Sequence, residues 1–125
     1  IKLVSRNKEL VKKEFEDTEI VNYEEFSKLK GFDILVNCTP LGMYPKIFVS
    51  PLKTENFLDF QYAIDLIYNP QETLFLKKAK EKGLTTINGW SMLLGQGAKA
   101  QEIWHGIKIG DDVLSELYLE LTDFI

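Results

Sequence analysis

The sequence contains one cysteine and one histidine among 125 residues. That excludes a disulfide within the chain and a cysteine-based zinc cage. No excess of base is present either: 15 Lys and Arg stand against 19 Asp and Glu, a formal net charge of −4. A nucleic-acid partner, which needs a basic face, is therefore not expected. Long hydrophobic runs are also missing, and none approaches the roughly 20 residues of a membrane-spanning helix. The opening IKLVSRNKEL lacks the apolar stretch of a secretory signal. These absences point to a cytoplasmic protein without a membrane partner. The initiator Met is absent as well, and an apolar strand begins at Ile1 with no lead-in. The expectation is that the chain is the C-terminal part of a longer one.

What is there has the balance of an ordinary globular protein, 45% apolar and 27% charged. Strand-like and helix-like segments alternate. Strands are expected at 1–4, 19–23, 32–38, 62–68 and 84–88. Asn7 is expected to cap a helix ending near Phe15, with Leu10 and Val11 inward. Helical turns are expected at 24–29, stopped by Gly31, and at 54–60. Asn69-Pro70-Gln71-Glu72 reads as a helix start, with Asn69 as the cap, Pro70 at the first position and Glu72 bonding back. Gly83 would end that helix. A longer helix runs from about Gly89 to His105. A last one opens at Asp111 and Asp112, with Val113, Leu114, Leu117, Tyr118 and Leu121 as an inward stripe.

Such alternation predicts an α/β fold, a mostly parallel sheet with right-handed crossovers and flanking helices. The run FDILVNC at 32–38 is almost continuously apolar, as expected of a strand covered on both faces. Cys38, at its end, is expected to be a buried filler. Ligands of parallel sheets bind beyond the carboxyl ends of the strands. Attention therefore falls on Ser5-Arg6-Asn7, Thr39-Pro40, Leu66 to Tyr68 and Asn88-Gly89.

Each of these has two readings. Arg6 is either a surface arginine or the forked cation that accommodates a nucleotide 2′-phosphate; no acid stands there to hold a free ribose hydroxyl. In VNCTPLGMYP, Pro40 forces Thr39 to be extended, and Gly42 can take a positive φ or let a ligand approach. The turn is a rigid exit or a crevice floor. Asp65, inside an apolar strand, needs a partner, and a structural bond to neighbouring loop amides is preferred. Tyr68 either packs or offers its hydroxyl to a ligand. Gln96 lies on an apolar helical stripe, and either finds a structural bond or faces a cleft. His105, in a last helical turn, is expected to be a capping or surface residue. The stretch Gly95-Gln96-Gly97-Ala98-Lys99-Ala100 matches a dinucleotide fingerprint formally. It lies inside a helix rather than at a strand-to-helix turn, so its glycines are expected to serve close helix packing instead.

The order of these segments is more specific than any one of them. SRN, then VNCTPLGMYP, then DLIYNPQETLFLKKAKEKG, then NGWSMLLGQGAKAQEIWHG resembles the shikimate dehydrogenase family over nearly the whole chain. The family pattern reads Asn-Arg-Thr, Asn-x-Thr-Pro-x-Gly-Met, Asp-x-x-Tyr-x-Pro-x-x-Thr and Gly-x-x-Met-Leu-x-x-Gln-Ala. The resemblance implies a Rossmann-like NADP-binding domain over 1–125 with C-terminal helices. The first strand, the Gly-rich loop and the N-terminal substrate domain with its catalytic Lys and Asp would lie outside this chain.

It also implies NADP-dependent, reversible reduction of 3-dehydroshikimate to shikimate, in chorismate and aromatic amino-acid biosynthesis. Ser5, Arg6 and Asn7 would hold the 2′-phosphate of NADP. Thr39 would lie against the cofactor, and Leu66, Gly89 and Met92 would line the nicotinamide. Tyr68 and Gln96 would reach the substrate, and no residue of the chain would be catalytic. Ser5, Asn7, Leu66 and Gly97 depart from the family pattern; Arg6 keeps the cation. An NAD-preferring quinate/shikimate enzyme and a non-catalytic α/β module are the alternatives, and a homodimer is one assembly left open.

Overall fold

The computed structural model describes residues 1–57 and 59–122, and side chains to residue 120. It divides into two compact units, Ile1–Phe32 and Asp33–Ile125.

In the first unit, strands β1 (Lys2–Val4) and β2 (Glu19–Val21) pair in parallel. Helix α1 (Lys8–Lys12) joins them, and Asn7 caps it by accepting from the Leu10 N–H at 3.1 Å. Leu10, expected inward, is 59% exposed, because so short a helix covers little of a two-stranded ladder. The core of this unit is Ile20, Val21 and Phe26. Helix α2 (Tyr23–Phe26) starts at a capping box. Asn22 Oδ1 accepts from the Glu25 N–H, and the Glu25 carboxylate accepts from the Asn22 N–H, both at 2.8 Å. Lys8 Nζ reaches the same carboxylate at 2.8 and 3.1 Å.

The hydrogen bond from Lys8, and then that from the Asn22 amide, hold the Glu25 carboxyl below its ordinary range. A lowered folded-state pKa means that the ionised form stabilises the fold above the ordinary glutamate range. That stabilisation is lost as the pH falls through the lowered value. Acid titration of stability, followed by circular dichroism, is expected to show this loss, and Glu25→Gln to remove this component of the slope.

In the second unit, β3 (Ile34–Asn37), β4 (Tyr62–Asp65) and β5 (Thr85–Ile87) form a parallel sheet in that order. Asn37 stands opposite Asp65 at the last rung of the first pair. A 3-10 turn, Thr54–Phe57, occupies part of the stretch expected as a helix at 54–60. Helix α3 (Leu74–Glu81) follows β4, and α4 (Trp90–His105) follows β5. Helix α5 (Asp111–Thr122) comes last. Phe57 packs on Phe75 with ring centroids 5.3 Å apart, and Ala63, Leu76 and Ala79 complete the centre of this core. Gly83 follows α3 at φ 83°, as expected of a helix stop.

Six expectations are corrected here. Helix α3 begins three residues beyond Pro70, because Thr73 is its cap: the Thr73 hydroxyl accepts from the Leu76 N–H at 3.3 Å. Glu72 bonds Lys80 at 3.2 Å instead of a cap. Strand β3 is an edge of the described sheet and alternates, with Asn37 buried and Ile34 and Val36 exposed; Cys38 is exposed as well. In α5, Val113, Leu117 and Tyr118 are exposed and Leu114 half-buried, with α4 its main packing neighbour among the described residues; Leu121 lies outside the described side chains. Gly95 and Gly97 lie inside α4, as read, but among the described residues no atom outside the local helix comes within 4 Å of a Cβ built on either, so close packing is not their role there. Among the described residues, no helix is long and apolar enough to cross a membrane.

Candidate functional site

The turn after β1 is stapled by a serine. Ser5 Oγ accepts from the Asn7 N–H at 3.1 Å and lies 3.2 Å from the Asn7 carbonyl, to which its hydroxyl donates. Asn7 Oδ1 is engaged in capping α1. Arg6 is left at the tip, exposed, and among the described residues its guanidinium makes no hydrogen bond or ion pair. A fork of five donors therefore faces outward.

In the second unit, the carboxyl ends of β3 and β4 are joined by a buried polar network. Thr39 Oγ1 accepts from the Leu41 N–H (3.3 Å) and donates to Asn37 Oδ1 (2.7 Å), which also accepts from the Thr39 N–H (3.0 Å). Asn37 Nδ2 donates to the Leu41 carbonyl (3.3 Å) and to Asp65 Oδ1 (3.1 Å). Asp65 Oδ1 accepts as well from the Ile67 N–H (3.1 Å), and Asp65 Oδ2 from the Thr73 hydroxyl (2.6 Å). Burial pushes the Asp65 carboxyl upward from its ordinary value, and the bonds from Thr73, Ile67 and Asn37 act against it. The expected structural role of Asp65 holds, with two side chains added to the loop amide.

Gly42, at φ 106°, lies against this network; a Cβ there would sit 3.3 Å from Thr73 Cβ and 3.4 Å from the Val49 carbonyl oxygen. Its close neighbour is thus protein. Gly89 backs onto the turn after β4. Its N–H donates to the Ile67 carbonyl at 3.0 Å, and a Cβ would fall 2.0 Å from the Leu66 carbonyl oxygen. Tyr68 lies beside Trp90, ring centroids 5.9 Å apart, and stays 41% exposed. Trp90 is buried, and its Nε1–H has no partner among the described residues. Leu66, Met92 and Gln96 are exposed, the last two one turn apart on α4. Gln96, being exposed, has no need of a structural partner.

Thr39, Leu66, Tyr68, Gly89 and Met92 thus hang on one connected set of turns. Ser5, Arg6 and Asn7 form a turn of the other unit. Asn37 and Thr73 stand at fixed positions of the family pattern but were given no role from the sequence, and Trp90 was not singled out. His105 is exposed in the last turn of α4, as expected. Two concavities lie elsewhere. One of about 410 Å³ lies between α4 and α5, lined by Ser91, Leu94, Gly95, Leu114 and Tyr118 among others. Another of about 300 Å³ lies beside Gln71, Glu72, Asn88 and Ser91. Among the described residues, no three His, Cys, Asp or Glu side chains gather as metal ligands would.

A parallel sheet flanked by helices, with its distinctive side chains on the turns beyond the strand ends, is Rossmann-like α/β architecture. No protein-family model matches the chain. Individual proteins do. Shikimate dehydrogenase (NADP(+)) of Clostridium perfringens (strain 13 / Type A) is 45% identical over 123 residues, 97% of this chain and 45% of its own length. The crystal structure of a chorismate mutase/shikimate 5-dehydrogenase fusion protein from Clostridium acetobutylicum is similar at TM-score 0.93 and 43% identity, over 98% of this chain and 44% of that one. Shikimate 5-dehydrogenase from Thermus thermophilus, in complex with NADP(H) and shikimate, matches at TM-score 0.73 and 32% identity, over 94% and 44%. The chain is homologous to shikimate dehydrogenases along nearly its whole length, and spans about 45% of the length of these curated relatives.

Proposed function

We propose that this chain is the NADP-binding side of a shikimate dehydrogenase, which reversibly reduces 3-dehydroshikimate to shikimate on the route to chorismate and aromatic amino acids. The observation that carries the proposal is the 45% identity, along 97% of the chain, to a shikimate dehydrogenase (NADP(+)). Catalytic Lys and Asp would come from sequence outside these residues, in an N-terminal substrate domain. Cytoplasmic location is part of the same reading.

The residues present fit the cofactor. Arg6 stands exposed on a turn stapled by Ser5, with its donors unengaged, as a site for a dianionic 2′-phosphate requires. Ser5 and Asn7 would act mainly by shaping that turn. Thr39, Leu66, Gly89 and Met92 would wall the nicotinamide, and Tyr68 and Gln96, both exposed, would meet the substrate. NADP, when bound, supplies or takes the hydride. The chain's part is orientation: Trp90 backs the Tyr68 ring, and Gly89 keeps the start of α4 against the turn that carries Leu66.

The test is an assay of the full-length protein carrying this chain, with dehydroshikimate or dehydroquinate and NADPH or NADH. Turnover of dehydroshikimate with NADPH, well above every other pairing, is the expected result. Preference for NADH would move the protein to the quinate/shikimate type, and no turnover with any pair would end the enzymatic reading.

A further inference from the structure

The buried network has a direction. Leu76 N–H donates to the Thr73 hydroxyl, so that hydroxyl must spend its own hydrogen on Asp65 Oδ2. Leu41 N–H donates to Thr39 Oγ1, so the Thr39 hydrogen goes to Asn37 Oδ1. This fixes the Asn37 amide, whose Nδ2 then donates to Asp65 Oδ1 beside the Ile67 N–H. Three donors converge on Asp65, the Asn37 amide, the Ile67 N–H and the Thr73 hydroxyl, and it is 0% exposed. Only a group that accepts on both oxygens closes such a chain; a carboxylate does, and an amide cannot.

The outer ends of the chain matter as much as its centre. They are main-chain groups of the turn that bears Thr39 and Leu41, of the turn that bears Leu66 to Tyr68, and of the start of α3. Gly89 in turn sits on the Leu66 and Ile67 main chain, bringing Met92 with it. One carboxylate therefore governs the register of both strand-end turns.

We infer that Asp65 is a positioning residue: it touches no ligand, and it holds the turns beyond β3 and β4 in the single mutual arrangement that nucleotide and substrate require. The inference rests on the NADP reading above, since only a ligand spanning both turns would sense their register. A misplacement of order 1 Å at a reacting centre can cost about a hundredfold in rate.

The experiment compares Thr73→Val, Thr73→Ser and Asp65→Asn in the full-length protein. Steady-state kinetics with dehydroshikimate and NADPH are measured well below each melting temperature, together with hydrogen exchange at the Leu41 and Ile67 amides. Valine keeps the bulk beside Gly42 and removes the hydroxyl, whereas serine keeps the hydroxyl. Thr73→Val and Asp65→Asn are expected to lower kcat/KM by roughly tenfold to a hundredfold while folded. Thr73→Ser should stay within about threefold of the parent. Both amides, on different turns, should exchange faster together in the first two variants. A lowered melting temperature with kcat and KM unchanged would make Asp65 a structural residue only and overturn the inference. If the parent shows no turnover, the NADP reading fails by itself. The exchange arm still decides the coupling: faster exchange at Ile67 with Leu41 unmoved would sink it. Should Asp65→Asn fail to fold, the two Thr73 variants carry the same comparison.

Discussion

Replacing Gly89 by alanine is expected to destabilise the second unit by about 3 kcal/mol or more, at the upper end of what overpacking costs. Backbone preference is not the reason, because φ of −75° suits alanine. The reason is contact. The new Cβ would lie 2.0 Å from the Leu66 carbonyl oxygen and 2.5 Å from its carbon. Both are main-chain atoms fixed by β4 and by the Asp65–Ile67 bond, so neither can swing aside as a side chain would. Either the start of α4 lifts off or the turn after β4 shifts. Thermal unfolding is expected to move down by roughly 10 °C. Gly97→Ala on the same helix is the control: among the described residues nothing outside the local helix lies within 4 Å of its Cβ, and alanine there should stabilise by about 0.5–1 kcal/mol. Equal effects at the two positions would show that helix propensity, and not the Leu66 contact, governs Gly89.

Arg6→Ala is expected to weaken NADPH binding by roughly tenfold to a hundredfold, the worth of one or two charge-assisted hydrogen bonds. NADH binding should change little, since NADH lacks the 2′-phosphate. Stability should not change, because among the described residues the Arg6 guanidinium makes no hydrogen bond or ion pair. Fluorescence titration of the full-length protein with each dinucleotide measures the split. An unchanged NADPH affinity would remove Arg6 from the cofactor site, and an equal loss for both dinucleotides would mean that the turn itself had collapsed.

The two variants differ in how visible their sites were from the sequence. The turn that exposes Arg6 was legible because its signal is local: an apolar strand, a three-residue turn and a helix cap follow one another directly. Asn7 capped as read for the same reason. The formal fingerprint at Gly95–Ala100 could be set aside on context, since a helix interior offers no cradle of free amides. Cys38 was misjudged because composition says how often cysteine is buried, not which face of an edge strand it occupies. Local rules pointed to Asn69 as the α3 cap, whereas the observed cap is Thr73. A hydrogen bond from Thr73 to Asp65, eight residues back, accompanies the observed cap.

The sequence by itself determined the alternation of strands and helices, the parallel α/β class and the turns on which the distinctive side chains stand. It did so because periodicity, caps and prolines act within a few residues of where they are written. Tertiary structure alone decided that Asn37 and Asp65, 28 residues apart, meet at one rung of the sheet, that Thr73 closes their network, and that Gly89 rests on the Leu66 main chain. These are contacts between segments brought together by strand register, and no single segment carries the register of its neighbour.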